Sequence, residues 1–203
     1  MSLPWSTKSS PERIAPPASK SLRKAGIVAF VWVVVFDLAH VYWACGGKLG
    51  FGNEPESAIE PPVNSLGSWI FVVITGGMFL IGTIVPLALY QDWGRRVPAW
   101  MLSWCCWIAA VILLLRGVSA WIDTALRGTG LVRNGLTGLT YKQETGLAHP
   151  SLYTLCSTSA IDSYFAIGGA IFLVVAITHR RSRRGAAVES AAAVRGTVAH
   201  DAA

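Results

Sequence analysis

Apolar positions in this chain fall into four long, nearly unbroken runs separated by polar segments. They extend over about Ala25 to Gly46, Gly67 to Tyr90, Pro98 to Trp121 and Ser159 to Thr178. Each reaches the ~20 residues that a helix needs to cross the hydrocarbon core of a bilayer. Barrel strands would instead show short alternating segments, so helices are the predicted spanning form. The pattern predicts an all-α fold, a four-helix transmembrane bundle over residues 25–180. Residues 1–24, rich in Ser and Pro, read as a disordered cytoplasmic lead. Residues 181–203 read as a basic and then Ala-rich cytoplasmic tail, loose from 185 onward.

Charge gives this arrangement a direction. Twelve Lys and Arg lie before the first run, between the second and third, or after the fourth, and only Lys48, Arg127, Arg133 and Lys142 lie in the other two loops. Basic residues stay on the cytoplasmic side, so both termini are expected there, with the loops 47–66 and 122–158 outside. Composition agrees: 53% of the residues are hydrophobic and 14% charged, against about a quarter charged in a soluble domain. The net charge of +6 flanks the apolar runs and forms no patch of its own. A lipid bilayer is therefore the expected partner, and nucleic acid is not. The first run starts late and exceeds the length of a signal-peptide core, so a cleavable signal is not expected.

Three charged or ionisable residues lie well within the runs: Asp37, His40 and Arg116. Charge within a bilayer costs a few kcal/mol on insertion scales and usually faces the bundle interior or a cavity. His40 and Arg116 lie at similar depth, each about five residues below the outer end of its run, and Asp37 lies one turn deeper on the face of His40. Asp123 and Asp162 flank the outer ends of the third and fourth runs, and Tyr42 and Trp43 fall at the outer interface. Two readings stand. In one, Asp37 or Asp162 pairs with Arg116 and His40 adds a hydrogen bond, clipping the helices together. In the other, Arg116 binds an anion in a pocket while His40 and Asp37 move a proton. Gly76, Gly77, Gly168 and Gly169 are expected to admit close helix packing, and Pro86 to bend the second helix.

Among four cysteines, the adjacent Cys105 and Cys106 point about a hundred degrees apart on a helix and read as buried filler. Cys45 and Cys156 fall on the outer side, where a disulfide between them would tie the first helix to the fourth. The stretch "WACGG" around Cys45 superficially resembles a lipoprotein cleavage site, but Tyr42 stands where a branched aliphatic belongs, so lipidation is not expected. Nucleotide-binding loops, metal-binding helices and Cys-x-x-Cys pairs are absent from the sequence, and no cofactor or metal is expected.

The segment "HVYWACGG" resembles the signature of a family of small bacterial membrane proteins classed as a domain of unknown function. The matching positions are His40, Tyr42, Trp43, Ala44, Gly46 and Gly47, with Arg116–Gly117 and Asp162 fitting as weaker marks. The resemblance covers about residues 25–180 and implies four spans in a bacterial cytoplasmic membrane, with no activity attached. A fainter similarity to sterol isomerase-like proteins is one of architecture alone, because their carboxylate-rich pattern is missing. The functional expectation is a partner subunit or a binder of a small, lipid-like ligand. The alternative is a membrane enzyme performing acid–base chemistry, isomerisation or cyclisation, on a lipid or isoprenoid.

Overall fold

A computed structural model of the chain describes residues 19–50 and 66–201. They form α1 (Lys20–Ala44), α2 (Leu66–Ala88), α3 (Ala99–Gly128), the short α4 (Tyr141–Thr145) and α5 (Leu152–Asp201), with a 3-10 turn at Asp92–Arg96 and no strand among the described residues. The fold is all-helical. Residues 1–18 of the expected lead over 1–24, and the part of the first outer loop over 51–65, lie outside the described residues, while residues 20–24 of that lead are helical.

Three helices, α1, α3 and the Leu152–Ala192 part of α5, are long and apolar enough to cross a membrane. The second apolar run forms α2, which carries no charged residue. Apolar side chains also cover the outward faces: Val28, Val31, Val35 and Leu38 of α1 and Ile108, Ile112 and Leu115 of α3 are all exposed. Water would penalise so large an apolar surface, and hydrocarbon does not. These are features of a membrane protein.

The helices outrun the apolar runs. α1 starts at Lys20, where Ser19 caps it by accepting a hydrogen bond from Leu22 N at 3.2 Å. α3 continues to Gly128, and α5 starts at Leu152 behind Ser151, whose hydroxyl accepts from Thr154 N at 3.2 Å. The segment expected to be loose beyond 185 is helical as far as Asp201. Ala and Arg are strong helix formers, no Pro interrupts them, and the apolar segment has already nucleated the helix.

Packing centres on α5. Its most extensive contact is with α3, followed by α1, while α2 lies mainly on α1. Small residues make the α3–α5 seam possible. A Cβ on Gly117 would collide with the backbone of Ala166, and one on Gly169 with Leu114. Gly168 lies equally close to the Trp32 ring, so the fourth-run glycines admit close approach as expected. Gly76 and Gly77 do not: among the described residues, no other part of the fold lies within 4 Å of where their Cβ atoms would be. Pro86 is buried in the last turn of α2 and leads directly into tight turns, with Leu89 N bonding Pro86 O at 3.3 Å and Tyr90 N bonding Leu87 O at 3.2 Å. The buried apolar cluster, including Leu22, Val85, Leu102 and Val175, reaches toward the end of the bundle nearest the arginines. The opposite end is built from rings and polar groups.

Candidate functional site

Trp32, Phe36 and His40 recur every four residues along one face of α1. Trp32 stacks on Phe36 at 5.7 Å and on Tyr164 of α5 at 4.8 Å, and Phe36 meets the edges of Phe79 at 5.3 Å and Phe165 at 5.7 Å. His40 ends this ladder, 4.2 Å from Phe36, 4.8 Å from Phe79 and 5.1 Å from Trp43 between ring centres. Its Nδ1 lies 2.9 Å from the Phe36 carbonyl oxygen. A carbonyl only accepts, so Nδ1 carries the proton of that bond, and in the neutral ring Nε2 is left with a lone pair.

His40 lines a cleft of about 760 Å³ between the end of α1 and the start of α5, with Phe36, Trp43, Tyr153, Ser157 and Phe165 in its walls. The segment after α1 folds back to form its rim. Trp43 Nε1 donates to Leu49 O at 2.8 Å, Leu49 N donates to the Tyr42 hydroxyl at 3.4 Å, and Leu49 and Gly50 both face the cleft. Gly47 lies flat on the Tyr42 ring, where any Cβ would overlap it. The run from Tyr42 to Gly50 is thus held by two aromatic rings and a close-packed glycine, and it shapes the mouth of the cleft.

Of the two pairings expected for Arg116, the one with Asp162 forms and the one with Asp37 does not. Arg116 of α3 pairs with Asp162 of α5 at 2.6 Å, and its guanidinium lies 5.4 Å from the centre of the Phe165 ring. Asp37 belongs to another pairing: its Oδ2 accepts from the Thr83 hydroxyl of α2 at 2.8 Å, and its buried Oδ1 has no hydrogen-bond partner among the described residues. Arg116 therefore does not serve Asp37 and His40. Equal depth misled the sequence argument, because α3 packs on α5 and α1 on α5 and α2, with no more than marginal contact between α1 and α3. No hydrogen bond joins Asp37 to His40 among the described residues.

Asp123 lies apart from the cleft and organises the loop after α3. Its Oδ2 meets Arg127 Nε at 2.5 Å, and its Oδ1 accepts from Leu136 N. Arg127 also donates to the Thr137 hydroxyl at 3.2 Å and lies over the Tyr141 ring at 5.0 Å. Gly135 has φ +61 and lies against both charged side chains, so the turn admits only glycine. Sequence reasoning left Arg127 as a plain loop charge. The spacing of Asp123 and Arg127 by four residues was the signal available.

Cys45 and Cys156 are free thiols, both exposed, and the expected bond is not formed. Trp43 and Ala44 instead oppose Tyr153 and Ser157 across the cleft, and neither cysteine lines it. Cys106 is buried and Cys105 half-buried against the core. Among the described residues no group of three His, Cys, Asp or Glu side chains could hold a metal ion.

Neither a curated protein nor a solved structure matches the chain. A family described as "Protein of unknown function (DUF3995)" matches residues 33–134, just over half of the 203 residues. That stretch includes Asp37, His40, the rim from Tyr42 to Gly50, Arg116 and Asp123, and stops before Asp162 and Cys156. The match runs from within α1 to the loop beyond α3, and on it the chain belongs to this family of unknown function.

Proposed function

We propose that this is a multi-pass membrane protein that binds an amphipathic, lipid-like molecule in the cleft between α1 and α5. The observation that carries the reading is the cleft itself. Its volume of about 760 Å³ and its aromatic and aliphatic walls around one imidazole suit a long apolar ligand with a single polar head. With Nδ1 donating to Phe36 O, neutral His40 offers Nε2 as an acceptor, so a hydroxyl head group fits better than a carbonyl. Arg116 and Asp162 support the wall through Phe165, and Tyr42 and Trp43 support the rim. In the enzymatic alternative the same Nε2 takes a proton from the substrate, and Asp37, bonded to Thr83, has no part in it. The cleft favours ligand binding over the partner-subunit reading.

Four spans with both termini in the cytoplasm of a bacterial cell complete the proposal. Its support is the division of Lys and Arg, twelve on one side and four on the other.

The test uses the full chain in phosphatidylcholine nanodiscs with a diazirine-bearing long-chain isoprenoid alcohol. Labelling is expected at Tyr153, Ser157 and Ala160 and should be lost in Ala39→Trp, which fills the cleft. Uniform labelling of all lipid-facing surfaces, unchanged in Ala39→Trp, overturns the reading.

A further inference from the structure

A second cleft, of about 550 Å³, opens at the other end of the bundle, where the starts of α1 and α3 and the turn after α2 meet α5. His179 lines it. This imidazole is 5% exposed, and neither ring nitrogen has a hydrogen-bond partner among the described residues. An imidazole carries at least one N–H in either protonation state, and burying an unsatisfied donor costs about 1–3 kcal/mol. The surroundings are cationic. Arg183 lies one turn beyond His179 on the same face of α5, and Arg95 projects from the 3-10 turn, both lining the cleft. Arg95 contacts Asp92 at 2.9 Å, but the Asp92 side chain is 92% exposed, so that pair is weak and leaves other guanidinium donors available.

Hydroxyls and a helix end complete the set. Ser19 and Ser182 lie 2.8 Å apart in the wall, joining α1 to α5. Ala99 also lines the cleft and opens the 30-residue α3, whose N-cap is Pro98 and lacks any capping side-chain bond. The first-turn N–H groups of such a helix, at the positive end of its dipole, form a natural seat for an anion. Glu189, the acidic residue of the lining, comes ten residues after His179, on the order of 15 Å further along α5 and toward the rim. A buried unsatisfied imidazole, two arginines, two hydroxyls and an uncapped helix start share one cavity.

We propose that this cleft binds a phosphate group, with His179, Arg95 and Arg183 donating to its oxygens beside the first turn of α3. Arg and backbone N–H groups suit the tetrahedral oxygens of phosphate and give bidentate contacts that a lysine could not. The phosphate could belong to a lipid head group at the membrane surface or to a soluble compound. The inference does not depend on the first cleft or on which face of the membrane this end occupies.

The experiment has two arms on the full chain. In the first, native mass spectrometry follows release from nanodiscs of phosphatidylcholine doped with phosphatidylglycerol and counts the retained anionic lipid. In the second, inorganic phosphate is titrated against the protein in pure phosphatidylcholine nanodiscs, read by the nitrogen resonances of labelled His179. Retention of phosphatidylglycerol without a phosphate response identifies a lipid head group, and a phosphate response identifies a soluble phosphate compound. Either result is expected to weaken roughly tenfold or more in the exposed pair Arg95→Gln/Arg183→Gln, which loses charge-assisted hydrogen bonds. The pair Arg180→Gln/Arg184→Gln removes the same charge outside the cleft and should leave binding unchanged. His179→Gln should weaken binding too, and if it fails to fold the arginine pair still decides. Silence in both arms, or equal loss in the two arginine pairs, overturns the proposal.

Discussion

Arg116 and Asp162 share a 2.6 Å contact and differ in surroundings: the arginine side chain is 50% exposed and the aspartate 4%. Removing either partner therefore has unequal consequences. Arg116→Ala strands a carboxylate inside the seam, a change that costs about 3–5 kcal/mol in buried pairs. Asp162→Ala leaves an arginine that can turn its long side chain toward the membrane interface. Thermal unfolding in detergent should rank Arg116→Ala below Asp162→Ala, and the reverse order would mean that the pair does not hold the seam. The identity of this pair was partly legible in the sequence, because Asp162 and Arg116 are among the few charges near the runs. The Asp37–Thr83 bond was not, since a hydroxyl in an apolar helix looks the same with or without an acid facing it.

At the scale of elements, the glycines show what sequence can and cannot convey. Gly76–Gly77 and Gly168–Gly169 are equivalent as written, yet only the second pair lies against neighbouring side chains. Tertiary contact decides the difference. Gly117→Val should break the α3–α5 seam, since even a Cβ there meets the Ala166 backbone. Gly76→Ala enters open space within a helix and should be neutral or stabilising by about 0.5–1 kcal/mol. Melting temperatures of the two variants, measured beside the parent, check both. Helix ends were the least legible elements. Polar residues can continue a helix already begun in an apolar run, and hydropathy is blind to that.

For the whole molecule, the four apolar runs were enough to predict an all-helical protein, and the described residues contain four long helices where the runs fall. Which helices touch was not legible, because apolar faces all round give no preferred partner. The proposed orientation has its own measurement. A reporter active only in the cytoplasm should work when fused after Arg184 and fail near Lys142. Activity at Lys142 would invert the protein and move the His40 cleft to the inner leaflet.

α5 forms walls of both clefts, at Ser157 and at Ser182. At 1.5 Å per residue those points are roughly 38 Å apart on a single helix without proline. A glycine pair is where such a rod would ordinarily buckle, and Gly168–Gly169 lies almost midway. Trp32 grips one of these glycines and Leu114 the other, so the weak point is clamped. A rigid helix held there would turn as one body, so any tilt of about 10° about that point would shift each cleft wall by about 3 Å.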